Sequence, residues 1–269
     1  MPMFTFNDLF LAASEYDDTE LFSAAFNRYT PADPGVNAIW LDFSPELAEW
    51  DILLDYFEDY AFELAEKGIL LTNYSFRWPD NTGIQPDTLE AMAEDGFQIG
   101  QYVLLTAPTV TPKAMESSSL TLLPITSANW DDYNALQQQG NAVYGTHYQA
   151  AKRDYYAFTR DWPSVTQYGA YQGQTLVGGF ELIHTAKAIE LDQLIIAPAY
   201  QNQGLGTELM RQLIAQVAPT PLIMKVDRED EAVMHFYEEL HCEAGSTQII
   251  AMAPFSAEFV EELKKAMPQ

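Results

Sequence analysis

The chain has 269 residues, 48% apolar and 13% aromatic, which is enough for a full core and too many for a disordered chain. Thirteen Lys and Arg stand against 39 Asp and Glu, a formal charge of −26; this argues against non-specific binding to nucleic acid or to an anionic membrane surface, since both need a positive patch. One cysteine excludes a disulfide framework within the chain and a cysteine-rich zinc site, and no apolar run reaches the ~18 residues of a spanning helix. The start, Met1 to Asp8, lacks the basic n-region and apolar core of a signal peptide, so the expectation is a soluble, cytoplasmic, globular protein of one large or two ordinary domains.

In chain order, residues 1–110 hold 20 acidic and three basic side chains, Arg28, Lys67 and Arg77. Trp40 to Pro45 reads as a strand ending in Pro. A helix follows with Leu47, Trp50, Leu54, Phe57, Phe62 and Leu64 apolar, ending at Gly68. Ile69 to Thr72 reads as a strand, Leu89 to Phe97 as a helix and Tyr102 to Leu105 as another strand. Thr106 to Ser119 carries two prolines, three threonines and three serines without a helical or strand period, which reads as a linker. The expected division is 1–107, a linker at 108–118, and 119–269.

The second half alternates strands and helices. Leu120 to Ile125 is a strand, with Ser127 expected to cap the next helix ahead of Trp130, Tyr133 and Leu136. Residues 146–160 read as helical. Gln167–Tyr171 and Leu176–Ile183 flank a hairpin turn at Gln172–Thr175. A strand from about Ile189 to Ala197 leads to a helix from Gly204 with Leu205, Leu209, Leu213 and Val217 on one stripe. Leu222–Val226 is a strand, Asp230–Leu240 a helix and Gln248–Ala253 the last strand. The class is α/β or α+β, a mixed sheet with helices on its faces.

The strand-to-helix turn Pro198-Ala199-Tyr200-Gln201-Asn202-Gln203-Gly204-Leu205-Gly206-Thr207 carries the strongest chemical signal. Two glycines, at i and i+2, let backbone approach a ligand, and the N–H groups of a helix start suit a pyrophosphate. It is not a dinucleotide fingerprint, because Leu209 stands where a third glycine would be, and no Gly-Lys-Ser/Thr follows to make a P-loop.

Leu194 to Thr207 resembles motif A of the GNAT superfamily, the acyl-CoA-dependent N-acyltransferases: a strand ending in Pro, then Gln/Arg-x-x-Gly-x-Gly/Ala. Asp230-Glu231-Ala232-Val233-Met234-His235-Phe236-Tyr237-Glu238-Glu239-Leu240-His241-Cys242 resembles motif B, Asn-x-x-Ala-x-x-Phe-Tyr-x-x-x-Gly-Phe. The resemblance covers roughly residues 119–253. It implies acetyl-CoA held by Leu194, Ile195, Ile196, Gln201, Asn202, Gln203, Gly204, Leu205, Gly206 and Thr207, with the N–H groups of Leu194 and Ile196 along the pantetheine arm and Tyr237 as general acid beside the sulfur. Gln201, Asn202 and Gln203 are neutral where the family often has Arg or Lys, so weaker and less salt-dependent binding is expected. Asp230 replaces Asn, and His241-Cys242 replaces Gly-Phe.

Acetyl transfer to an amine needs a base, because an alkyl amine is an ammonium at pH 7. Glu190 and Asp192 alternate on the strand before the turn and share a face; either of them, or a water, is a candidate base. Tyr144, Tyr148, Tyr155 and Tyr156 are candidates to line an acceptor pocket. His147, His184, His235 and His241 have no ligand spacing, so no metal is expected, and Cys242 has no basic neighbour in sequence to activate it.

The first half reads as a worn copy of the second. Trp40–Pro45 aligns with Gln193–Pro198, and Leu89–Phe97 followed by Tyr102–Leu105 echoes residues 234–242 and 247–250. Its turn holds Glu46, Leu47, Ala48, Glu49, Trp50 and Asp51, with no glycine and three acids, so it should not bind CoA in this way. The resulting expectation is tandem GNAT-like domains with a mixed, mostly antiparallel central sheet flanked by helices. The second domain would be an acetyl-CoA-dependent N-acetyltransferase acting by direct attack in a ternary complex on a primary amine of a small molecule or peptide, with a cationic acceptor hinted at by the acidic surface. A non-catalytic acyl-CoA-binding or protein-interaction module is the alternative.

Overall fold

In the computed structural model the described residues are 3–11, 13–33, 35–109, 118–142 and 145–268. Most of the linker at 108–118, and Tyr144, lie outside them, as does the side chain of His147. The fold is mixed α/β, its strands mostly antiparallel and flanked by helices. The chain forms two compact units, Met1–Phe10 with Val103–Ser246, and Leu11–Tyr102 with Thr247–Gln269. They differ from the contiguous halves 1–107 and 119–269 because two strands each begin in one unit and end in the other: β5 (Gln98–Thr106) and β11 (Glu243–Pro254).

The unit built mainly from the first half contains β1 (Glu15–Asp18), β2 (Ser23–Phe26), β3 (Ala38–Trp40), α1 (Leu47–Glu66), β4 (Asn73–Pro79), α2 (Pro86–Glu94) and, after the end of β11, α7 (Ala257–Ala266). The strands β1, β2 and β3 pair antiparallel, β3 runs parallel to β4, and β11 lies antiparallel on β4 with Gln248 opposite Pro79 and Pro254 opposite Asn73. Trp50 and Phe57 of α1 pack on Phe76 and Trp78 of β4, all fully buried. The Trp50 ring meets Phe76 and Phe97 edge-on, each at 4.9 Å between centroids. Two sequence readings are corrected here. β3 stops at Trp40, so the stretch to Pro45 is not strand. Ile69 and Leu71 are buried in the connection before β4, because their apolar run fills the core without entering the ladder.

The unit built mainly from the second half contains β6 (Thr121–Pro124), α3 (Trp130–Asn141), α4 (Gly145–Thr159), β7 (Val165–Gln172), β8 (Thr175–His184), β9 (Ile189–Ile196), α5 (Leu205–Val217), β10 (Leu222–Asp227) and α6 (Glu231–Glu239). Its strand order is β5-β10-β9-β8-β7-β6, antiparallel from β6 to β9, with β9 and β10 parallel. Leu205, Leu209, Met210, Leu213 and Ile214 of α5 are buried with Val177, Phe180, Leu191 and Met224. A side chain such as Leu209, buried completely, contributes about 1.5–3 kcal/mol. Asn129, not Ser127, precedes α3: its Oδ1 accepts from the Thr126 N–H at 2.6 Å, fixing the approach to the helix.

Element order repeats between the units: an antiparallel pair, a third strand, a helix, a parallel strand, a helix and a last strand. The ends of α2 and α6 match closely. Phe97 N–H bonds Met92 C=O at 2.8 Å past Gly96 at φ +79°, and Cys242 N–H bonds Tyr237 C=O at 3.0 Å past His241 at φ +59°. Among the described residues no helix is long and apolar enough to cross a membrane.

Candidate acyl-carrier and acid–base site

β9 shapes the site. It pairs with β10 only at Ile189 opposite Leu222 and Glu190 opposite Ile223, although both strands continue well beyond. The later part of β9 therefore carries one edge with no β10 partner among the described pairs. Ala197 N–H donates to Val177 C=O on the β8 side at 2.9 Å. Since successive residues of a strand alternate direction, the N–H groups of Ile196 and Leu194 face this open edge, with Ile195 between them.

The turn after β9 is a single tight helical turn at Pro198–Tyr200, with Tyr200 N–H on Ala197 C=O at 2.8 Å. Asn202 at φ +58° and Gly204 at φ +80° then swing the backbone into α5. The first helix bond is Glu208 N–H to Gly204 C=O at 3.0 Å. Among the described residues none accepts from the N–H groups of Asn202, Gln203, Gly204, Leu205, Gly206 or Thr207. A Cβ at Gly206 would meet only ordinary contacts, the Phe236 ring at 3.4 Å and Ile196 Cγ1 at 3.7 Å, so the protein itself does not require glycine there. The Gln201 and Gln203 side chains brace the turn from within, donating to Ile196 C=O at 2.9 Å and to Ala199 C=O at 3.0 Å.

α6 brings Tyr237. Asp230 caps it as an asparagine would, its Oδ1 accepting from Val233 N–H at 3.0 Å. Tyr237 is buried, and burial, then Cys242, then the Asp192 carboxylate push its phenol pKa up. It is a proton donor at neutral pH. Burial pushes the Cys242 thiol up to about 11, so the thiol is protonated and no ready nucleophile.

Three carboxyl groups share one sheet face. The Glu190 Oε2 accepts from Phe10 N–H at 2.7 Å, and burial, reinforced by Asp192, pushes its pKa up to about 7. Glu181, on the neighbouring strand opposite Asp192, is fully buried and pushed up to about 8 by burial first and Asp192 second. Its Oε1 accepts from Gln167 Nε2 at 2.8 Å, while its Oε2 has no hydrogen-bond partner among the described residues. Asp192 accepts from the Gln193 N–H at 2.9 Å on Oδ1 and from Gln193 Nε2 at 3.0 Å on Oδ2.

Of the candidate acceptor-side tyrosines, Tyr156 is fully buried and bonds into this face, its hydroxyl donating to Gln193 Oε1 at 2.8 Å. Tyr148 and Tyr155 hold Lys152 instead, with its Nζ 5.6 and 4.8 Å from their ring centroids. His235 is exposed beside Glu239 at 3.5 Å, and His184 is exposed on β8. Among the described residues no group of three or more His, Cys, Asp or Glu is arranged to hold a metal ion.

The sequence missed Glu181, Gln193 and Gln137. Glu181 did leave a signal, a lone acid inside the apolar run from Val177 to Ile183. Gln193 left none, because its role depends on a bulge.

Among the described residues the start of α1 offers no comparable run of open amides. There the Glu49 Oε2 accepts from Glu46 N–H at 2.8 Å, and the Glu49 and Trp50 N–H groups bond the Glu46 C=O at 3.0 and 2.9 Å. These acids sit where an anion would have to dock.

Comparison with known proteins agrees with this architecture. Residues 125–241 match the family model of the Acetyltransferase (GNAT) family. The chain is similar in structure to a functionally unknown conserved protein from Staphylococcus epidermidis, with a TM-score of 0.80 at 19% identity over 93% of this chain and 97% of that one. It is also similar to a GCN5-related N-acetyltransferase from Kribbella flavida, with a TM-score of 0.60 at 13% identity over 91% of each chain, and to another from Sphaerobacter thermophilus, with a TM-score of 0.55 at 12% identity over 87% of this chain and 76% of that one. A search of the curated proteins found no match. Residues 125–241 thus match the GNAT acetyltransferase family, and the chain has a fold that GCN5-related N-acetyltransferases share.

Proposed function

We propose that the chain is an acetyl-CoA-dependent N-acetyltransferase acting on a primary amine of a small molecule or peptide, by direct attack with both substrates bound. The observation that carries this reading is the run of six backbone amides, Asn202 to Thr207, without acceptors among the described residues, beside the open edge of β9. The residues fit the carrier: the amides would hold its diphosphate, and the Leu194 and Ile196 N–H groups its arm. When bound, acetyl-CoA supplies an activated acyl thioester.

The chain's own groups manage the protons. An alkyl ammonium must lose one before it can react, and on this reading Asp192 takes it. Asp192 is half-buried on the face shared with Glu190, and its charge is felt at Tyr237. Glu190, tied to Phe10, is the second candidate. Tyr237 keeps its proton at neutral pH and is the candidate donor to the departing sulfur. The half-buried Asp192, in a chain of charge −26, favours a cationic acceptor such as a polyamine, an aminoglycoside or a basic peptide. The first-half unit takes no part in carrier binding and serves structure or acceptor shape.

Calorimetry with acetyl-CoA, followed by free-thiol release across a polyamine, an aminoglycoside and a lysine peptide, tests the reading. Binding with thiol release on at least one amine is the expected result. Tight binding without turnover on any amine would support a non-catalytic acyl-CoA-binding module instead.

A further inference from the structure

Between Gly179 opposite Ile195 and Glu181 opposite Asp192, the two residues Gln193 and Leu194 of β9 face Phe180 alone. This is a β-bulge, and Gln193 occupies its left-handed position at φ +54°. Glycine makes such a bulge without strain. Glutamine stands here instead, and each of its polar groups is engaged. Its N–H and its Nε2 donate to the two Asp192 oxygens at 2.9 and 3.0 Å. Its C=O accepts from Gln137 Nε2 at 2.9 Å, and its Oε1 accepts from the Tyr156 hydroxyl at 2.8 Å. Asn141 Nδ2 donates to that hydroxyl at 2.9 Å, which leaves the Tyr156 proton for Gln193. A flipped Gln193 amide would set its carbonyl against a carboxylate, so the chain Asn141–Tyr156–Gln193–Asp192 fixes one orientation.

We propose that Gln193 is a positioning residue that aims the Asp192 carboxylate at the acceptor amine, with Tyr156 and Asn141 locking Gln193 in turn. This rests on the reading of Asp192 as the base. Each Asp192 oxygen gives one lone pair to Gln193 and keeps the other for the amine. A carboxylate freed from this clamp rotates about its side-chain bonds, and the loss falls on the chemical step, because misaligned proton acceptors lower turnover more than carrier binding. Removing the glutamine side chain while relieving the left-handed backbone separates positioning from structural support.

The experiment compares the unaltered chain with Gln193→Glu, Gln193→Gly, Tyr156→Phe and the Gln193→Gly/Tyr156→Phe double variant, using the amine with the highest rate in the panel above. Gln193→Glu keeps the shape and turns an acceptor toward Asp192; its kcat falls at least thirtyfold. Gln193→Gly loses about tenfold in kcat, with the KM for acetyl-CoA within twofold and a melting temperature no lower than that of the unaltered chain. The double variant is no slower than Gln193→Gly alone, because Tyr156 acts through Gln193. Values of kcat within twofold of normal for both Gln193 variants, additive losses in the double variant, or losses matched by a rise in KM overturn the proposal. An unaltered chain with no turnover on any amine overturns the catalytic reading, and the proposal with it.

Discussion

Glu181 and Asp192 stand directly opposite each other across the β8–β9 ladder, and Gln167 stands opposite Glu181 on β7. Two acids thus sit in one cross-strand row, and the inner one is fully buried. Like charges at this spacing oppose each other, and burial opposes them further.

The first prediction follows from that row. Glu181 is raised to about 8 and Glu190 to about 7 in the folded chain, above the ordinary glutamate value of 4.5. The folded state therefore holds protons that the unfolded state releases between pH 4.5 and about 8, and by linkage these two groups make stability fall as pH rises through that window. Replacing Glu181 with Gln keeps the acceptor for Gln167 and removes the buried charge. The variant should be more stable than the unaltered chain at pH 8.5, on the order of a few kcal/mol, with the gap closing toward pH 5. Thermal melts at both pH values read this directly; equal midpoints at pH 8.5 would show that Glu181 ionises without penalty.

The second prediction separates acid from base. Tyr237→Phe removes one hydroxyl, and the contact of Phe236 with the 237 ring, 5.0 Å between centroids, can persist. Turnover should fall by roughly 10- to 100-fold and acetyl-CoA affinity by less than about twofold. Asp192→Asn should cost about 100-fold or more in kcat, and Glu190→Gln less. Steady-state kinetics with calorimetry decide it, and an Asp192→Asn variant as fast as the unaltered chain would move the base role to Glu190 or to water.

How much of this was legible in the sequence depended on range. The turn from Pro198 to Thr207 and the helix carrying Tyr237 are local patterns, and spacing alone located both. The meeting of Gln167, Glu181 and Asp192 is a matter of register across three strands, which the spacing of any one strand cannot give. The bulge at Gln193 carries no glycine to mark it. β1 and β2 went unread because they are short and β1 is mostly exposed. The exchange of β5 and β11 between units was invisible, since each reads as an ordinary last strand of its own half.

The third prediction concerns His241. At φ +59° it ends α6 where Gly96, at φ +79°, ends α2. A side chain there strains the backbone by about 1–2 kcal/mol, and glycine gives part of that back as unfolded-state entropy. His241→Gly should stabilise the protein by about 0.5–1 kcal/mol. Denaturant melts check it, and a loss of stability would mean that the imidazole makes up the strain through contacts of its own.

The fourth prediction is that each chain binds one acetyl-CoA, with affinity that changes little with salt. The amides of Asn202 to Thr207 have no acceptor among the described residues, whereas Glu46 and Glu49 place carboxylates at the start of α1. An anion docking on α1 would meet those charges against the favourable dipole, an opposition of about 0.3–1 kcal/mol for each exposed charge near a helix end. Gln201, Asn202 and Gln203 bring no cation to the turn after β9, so binding there relies on short-range hydrogen bonds that salt screens weakly. Titration calorimetry between about 50 mM and 500 mM salt should give a stoichiometry of one, with Kd rising by less than about threefold. Gly206→Ala should leave the melting temperature unchanged, because the fold accommodates the methyl, and should weaken binding at least about fivefold by standing between the amides and the diphosphate. A stoichiometry of two would put a carrier on the first-half unit, and unchanged affinity in Gly206→Ala would take the diphosphate away from this turn.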